Sequence, residues 1–258
     1  MNMTLFARYS FHGEINYGIL EGSEIQTISS APYNDYKLTG EKKKLNEVKL
    51  LTPTKPSKVV AIGLNYKSHL GSKTPPSVPE PFLKIPTSII ATEDNIVIPK
   101  VALDENVTVQ PEAEMAVVIG KTCKKASQAN ATDYILGYTC GNDVSARDWQ
   151  SNDLQWWRAK SSDTFTPLGP VINTELEHNN MRLIGRVNGK VTQDQVTSDL
   201  LHDVPKIIEF VSSVMTLLPG DVIMTGTPGT PPNIHPGDET EVEIEGIGIL
   251  RNSVIAGE

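Results

Sequence analysis

Two glutamates one residue apart, Glu112 and Glu114, lie in the stretch Pro111-Glu112-Ala113-Glu114-Met115-Ala116-Val117-Val118-Ile119-Gly120. The run that follows them is rich in Val and Ile and closes on Gly120, which predicts a buried β-strand. Alternate side chains of a strand share a face, so both carboxylates point the same way. Neighbouring carboxylates repel, and burying them unpaired costs on the order of several kcal/mol each. A hard divalent cation with oxygen ligands removes that conflict.

Asp143 is the candidate third ligand. It ends a second strand-like run, Ile135 to Asp143, in which Thr139 and Gly141 share its face and are small enough to leave room for a ligand. Three carboxylates from two strands suit Mg²⁺, with positions left for water and a bidentate substrate. The same residues could instead form a solvated Glu-x-Glu face with Asp143 capping a turn. Spacing alone leaves both open.

The elements that must position these groups are mostly short strands. Residues 1–54 are predicted as a small β-rich N-terminal domain, with strands Glu14–Leu20 and Glu24–Ile28 joined at Glu21-Gly22-Ser23. Residues 55–258 form the main domain, opening on the apolar run Lys58 to Gly63. Pro75, Pro76, Pro79 and Pro81 exclude regular structure over 71–81, a segment placed to cover a site. Short strands are expected within Ser88–Ile98, and a short helix beginning near Ser127. Apolar spacing predicts a helix over 204–218, with Asp203 and Pro205 at its start and Gly220 beyond its end. Strands over Asp221–Thr225 and Thr240–Ile244 follow, and Pro-Gly-Asp turns occupy 219–221 and 236–238. The fold class is α+β, mainly β.

Hydrophobic residues make up 38% of the chain and charged residues 21%, as in globular proteins with a sizeable core. A net charge of −8 without Lys/Arg clusters argues against nucleic acid or an anionic membrane as partner. An acidic protein also needs a local cation to hold an anionic substrate. The N-terminal residues show no basic segment followed by an apolar run, and no stretch approaches a membrane span, so a cytoplasmic location is expected. Cys123 and Cys140 are expected to be reduced core thiols. His12, His178, His202 and His235 lack zinc spacing, and Trp149, Trp156 and Trp157 are assigned to packing. Nucleophile-elbow, P-loop and dinucleotide-binding motifs are absent.

Further motifs fall in a fixed order: Gly63-Leu64-Asn65-Tyr66-Lys67-Ser68-His69, the Glu-Ala-Glu strand, and Asn142-Asp143-Val144-Ser145-Ala146-Arg147-Asp148-Trp149-Gln150. Ala159-Lys160-Ser161-Ser162-Asp163-Thr164-Phe165-Thr166-Pro167-Leu168-Gly169-Pro170 and Pro219-Gly220-Asp221-Val222-Ile223-Met224-Thr225-Gly226-Thr227-Pro228 come next. From about residue 58 onward the chain resembles the fumarylacetoacetate hydrolase superfamily, in its acylpyruvate hydrolase, oxaloacetate decarboxylase and hydroxyheptadienedioate isomerase branch. The resemblance implies the mixed β-sandwich or β-roll of that family's C-terminal domain, with a variable N-terminal domain.

It also implies a metal site at Glu112, Glu114 and Asp143, holding Mg²⁺ or Mn²⁺, with Ca²⁺ an inactive substitute. The metal would chelate the carboxylate and 2-oxo group of a small anionic oxo acid and stabilise an enolate. Lys160 would add positive charge beside that enolate; its alternative is an exposed lysine. Arg147 and Gln150 would bind the distal oxygens, unless Arg147 pairs structurally with Asp148 or another acid. Thr227 would meet the substrate carboxylate. His69 would transfer protons, or else is simply a histidine bonded at a loop start. Family hydrolases and decarboxylases often place a water-orienting glutamate three residues after this histidine, where this chain has Ser72. Glu80 is the nearby substitute, or the dyad is missing. The implied activity is hydrolysis or decarboxylation at a C–C bond, with isomerisation of a hydroxydienedioate or a silent metal-binding homologue as alternatives. A homodimer is the implied assembly.

Overall fold

The computed structural model describes residues 4–258. Residues 1–3, which open both the predicted N-terminal domain and the segment read for a leader, lie outside the described residues. The chain is mainly strand, built on a twelve-stranded sheet and a five-stranded sheet.

The Glu-x-Glu strand, Ala113–Ile119, sits inside the large sheet, and every residue of it is buried. Strand Ile135–Asn142 flanks it antiparallel on one side and Val222–Met224 on the other. Beyond Val222–Met224 come Val59–Gly63, paired in parallel, and then the edge strand Glu80–Lys84. In the other direction the sheet runs through Thr166–Asn173 to Leu5–Phe11, Glu14–Glu21, Glu24–Ile28 and Leu38–Lys44. The N-terminal strands therefore extend the main sheet, through the pairs Leu5–Asn173 and Phe6–Ile172.

Alternation along the Glu-x-Glu strand divides the core. Met115, Val117 and Ile119 join Leu183, Val242, Ile244 and Leu250 of the second sheet. Ala116 and Val118 face the other way, against Phe6, Ile172, Val222 and Met224. Glu114 lies on this second face by strand parity. The second sheet runs Lys190–Val196, Arg182–Val187, Glu239–Ile244, Gly248–Ala256 and Ile96–Ile98. The α+β, mainly β reading of the sequence holds.

Three local expectations need correction. The helix spans Val204–Val214, with Asp203 accepting the Lys206 N–H as its cap, and does not reach 218. Met215 and Leu218 continue the helical spacing in the sequence, but Met215 is the C-cap with extended backbone and Leu218 is exposed, while Leu217 is buried in an antiparallel bridge to Cys123. Ser127 starts no helix: its N–H and hydroxyl both donate to Asn130 Oδ1, and a 3₁₀ turn follows at Ala131–Tyr134. Pro81 lies within strand Glu80–Lys84, opposite Ile62. An edge strand tolerates a residue without an N–H. The short strands Ile89–Ile90 and Ile96–Ile98 do form, but they pair with Thr166–Pro167 and Val254–Ala256 respectively.

Both cysteines are buried and unpaired, and burial pushes the Cys140 thiol up to about 12. No helix among the described residues is long and apolar enough to cross a membrane.

Candidate active site

Strand register brings the three acids together. Ala113 pairs with Asn142 and Glu114 with Gly141. Just past this pairing, the Asp143 N–H donates to the Glu112 carbonyl (2.9 Å), and the Glu112 N–H donates to Asn142 Oδ1 (2.9 Å). One carboxylate oxygen from each of Glu112, Glu114 and Asp143 lies within 4.8 Å of the other two, and all three residues are buried. This excludes the solvated-face alternative. The space over Gly141 is not ligand room, however. A Cβ there would stand 2.9 Å from the Met224 methyl and 3.5 Å from Ala116 and Leu168, so the glycine serves packing.

Two buried lysines balance the acids. Lys160 Nζ donates to Glu112 Oε2 (2.7 Å), Asp143 Oδ2 (2.6 Å) and Ser145 Oγ (2.6 Å). Burial pulls its ammonium down, but Asp143 and Glu112 outweigh it and hold the ammonium above its usual range. Lys84, which the sequence reading missed, is 1% exposed and donates to Asp143 Oδ1 (2.5 Å) and to the Lys160 carbonyl. Burial pulls its ammonium below the usual lysine range, against the opposing pull of Asp143.

Arg147 holds three protein partners: Gln110 Oε1 (2.7 Å), Gln150 Oε1 (2.8 Å) and Glu112 Oε1 (2.5 Å). Asp148 is not its partner and accepts the Thr108 N–H instead. Burial pushes the Glu112 carboxyl up, but the Lys160 ammonium and then the Arg147 guanidinium outweigh it and hold it far below the usual range.

Glu114 differs. It makes no ion pair among the described residues and accepts one hydrogen bond, from the Gly226 N–H to Oε2 (2.7 Å). Burial, then the charges of Asp143 and Glu112, push its carboxyl well above the usual range. A buried carboxyl without a cation, in an all-oxygen donor set, fits a hard divalent metal.

A cleft opens over these acids. Its other walls include Ile62, Leu64, Phe82 and Trp156, with His69, Gln150 and Thr227 at the polar side. Trp156 stacks edge-on against Phe82, so this tryptophan lines the cleft as well as packing. His69 closes a 3₁₀ turn, Lys67–His69. Its Nδ1 lies 2.5 Å from the Gly229 carbonyl, and its Nε2 lies 3.6 Å from Glu112 Oε1. A carbonyl only accepts, so the Nδ1 carries the proton in that contact. The Thr227 hydroxyl donates to the Ala113 carbonyl (2.8 Å) and accepts from Gln193 Nε2 (2.7 Å). Ser72 and Glu80 are exposed and lie off the cleft.

Comparisons with known proteins agree with this architecture. The pattern of the fumarylacetoacetate (FAA) hydrolase C-terminal domain matches residues 58–255, and that of the Rv2993c-like N-terminal domain matches residues 5–53. The mitochondrial oxaloacetate tautomerase FAHD2A of Bos taurus is 39% identical over 225 residues, covering 81% of this chain and 70% of the relative. The crystal structure of 5-carboxymethyl-2-hydroxymuconate delta-isomerase from Mycobacterium smegmatis superposes with a TM-score of 0.91 at 42% identity, covering 98% of this chain and all of the other. Maleylpyruvate hydrolase from Sphingobium sp. SYK-6, solved with manganese(II) and pyruvate, superposes with a TM-score of 0.81 at 28% identity, again over 98% of this chain and all of the other. A domain match over most of the chain, joined to relatives of this similarity and extent, makes the protein a member of the fumarylacetoacetate hydrolase family.

Proposed function

We propose that the chain is a divalent-metal-dependent enzyme that takes small 2-oxo acids through their enolates, with keto–enol or double-bond isomerisation as the reaction its residues support best. The observation that carries this reading is Glu114, a buried carboxyl without a cation beside Glu112 and Asp143. Mg²⁺ is the proposed working ion and Mn²⁺ a substitute. Bound there, the ion would supply Lewis acidity to the carboxylate and 2-oxo oxygens of a substrate.

The chain's own residues supply the rest. Lys160 adds fixed positive charge where negative charge grows on the 2-oxo oxygen. His69, with its proton on Nδ1 held by Gly229, offers the Nε2 lone pair to the cleft. That nitrogen accepts a proton from C3 of a 2-oxo acid and returns it on enol protonation. Ile62, Leu64, Phe82 and Trp156 make the wall that keeps water from the reacting carbon. Gln150, its oxygen held by Arg147, is left with its amide donors for a distal oxygen of the substrate. Thr227 sits at the carboxylate end.

Isomerisation is preferred over hydrolysis because no carboxylate is left over to orient a water beside His69. Among the residues lining the cleft, the only carboxylates are the three proposed for the metal. Decarboxylation passes through the same enolate and needs no such group, so the same residues could serve it. The partner is a small anionic oxo acid, and the working assembly is a homodimer, as the family resemblance implies.

Chelator-stripped protein offered oxaloacetate, acylpyruvates and hydroxymuconate-type diacids in deuterated water should exchange C3 hydrogens only after Mg²⁺ is returned. Metal-independent exchange, or none across the panel, overturns the reading. Tight binding of oxalate without turnover would identify a silent binding homologue instead.

A further inference from the structure

Asn65 is fully buried and belongs to none of the groups above. Its Nδ2 donates to the Thr225 carbonyl (2.8 Å) and to the His202 carbonyl (3.0 Å), while its Oδ1 accepts the His202 N–H (2.8 Å). That backbone N–H fixes which end of the amide is oxygen. The Leu201 N–H donates to the carbonyl of Asn65 itself (2.8 Å). One side chain thus ties the end of strand Val59–Gly63 to two other segments, four residues before His69.

The Thr225 carbonyl and the Gly226 N–H belong to one planar peptide, and in a trans peptide they point in opposite directions. Asn65 grips the oxygen end of that plane, and Glu114 Oε2 accepts from its N–H end at 2.7 Å. Gly226 has φ of +105°, and a Cβ there would stand 2.8 Å from the Asn65 Cβ. Both the conformation and the close approach require glycine. A flip of this plane would turn a carbonyl toward Glu114 and break both bonds together.

We infer that Asn65 is a positioning residue for the metal centre: by clamping the Thr225–Gly226 peptide it commits Glu114 Oε2 to the Gly226 N–H and leaves Oε1 as the ligand oxygen. This inference rests on the proposed metal site. Partners that orient a ligand are worth about 10–100-fold in metal affinity, so the clamp should be visible in metal binding itself.

The test is Mn²⁺ binding to the full chain, read from the free-ion electron paramagnetic resonance signal, with no substrate present. Asn65→Asp keeps the shape and the acceptor for His202 but replaces the donor to Thr225 with an oxygen. It should weaken Mn²⁺ binding by about 10–100-fold. Should that variant fail to fold, Asn65→Ala removes the donor without burying a charge and should show the same loss. Thr54→Val is the control: it deletes a buried hydroxyl bond to the Gly220 carbonyl (2.8 Å), outside the peptide clamp and the cleft. It should lower the melting temperature while retaining wild-type Mn²⁺ affinity. Equal Mn²⁺ affinity in the Asn65 variants and wild type, or an equal loss in Thr54→Val, overturns the inference. Wild-type protein that binds no Mn²⁺ overturns the metal site, and this inference with it.

Discussion

Lys84 Nζ lies 2.5 Å from Asp143 Oδ1, and neither side chain is more than 1% exposed. A buried pair broken from one side leaves an uncompensated group in low dielectric, costing about 3–5 kcal/mol. Lys84→Met bares Asp143 Oδ1 but leaves Oδ2 paired with Lys160, so it should lower the unfolding free energy by about the lower end of that range, read from the shift in urea midpoint. The pair Lys100–Asp104 has similar geometry (2.7 Å) but is 60% and 61% exposed, so Lys100→Met should cost at most about 1 kcal/mol. Equal losses from the two variants would contradict a buried ion pair beneath the site.

Glu114 and Glu112 give opposite pH signatures. Burial, followed by Asp143 and Glu112, raises the Glu114 carboxyl well above its ordinary 4.5 in the fold. Metal-free native protein thus keeps a proton that the unfolded chain releases above that value, and stability falls as pH rises through this window. Glu112 is held far below 4.5 because Lys160 and Arg147 outweigh its burial, so its contribution is full above 4.5 and is lost in acid. Urea midpoints at about pH 5.5 and about pH 8 should fall with pH in chelator. Added Mg²⁺ displaces the Glu114 proton and should remove or reverse that fall. A midpoint that rises with pH in chelator would contradict a protonated Glu114.

Why the sequence disclosed some of this and hid the rest follows from how local each feature is. The Glu112–Glu114 face follows from a period of two, which any extended strand obeys. The start of helix Val204–Val214 is legible because Asp203 caps it through its own neighbour, the Lys206 N–H. Its end is not, because Met215 and Leu218 continue the apolar spacing while the chain past the cap is held extended by the bridge from Leu217 to Cys123, ninety-odd positions away. Lys84 is hidden for the same reason. Nothing near Pro81-Phe82-Leu83-Lys84 says that pairing with Val59–Gly63 will carry the lysine under Asp143. Gly141 reads as ligand space only while Met224 is unknown as its neighbour.

Arg147 separates two roles for one guanidinium. Its three contacts tie Glu112, Gln110 and Gln150 together, a planar fork that lysine cannot reproduce. Arg147→Lys should therefore weaken Mn²⁺ binding by about tenfold through the freed Glu112, and also raise KM through the released Gln150 amide. A rise in KM with unchanged Mn²⁺ affinity would instead assign Arg147 to direct substrate contact.

His69 is the group whose loss should fall on chemistry alone. It stands 3.6 Å from Glu112 Oε1, outside ligand distance, and its ring is oriented by the Gly229 carbonyl and not by the acids. His69→Gln keeps a polar side chain near Gly229 but has no ring nitrogen to accept the C3 proton. The rate of C3 hydrogen exchange in a 2-oxo acid should drop by about 10²–10⁴-fold. Mn²⁺ affinity and oxalate affinity should stay within about twofold of wild type, since the three carboxylates and Lys160 are untouched. A variant that loses metal binding in step with exchange would place His69 among the groups that build the centre. One that retains full exchange would show that the imidazole is not the group that takes the C3 proton.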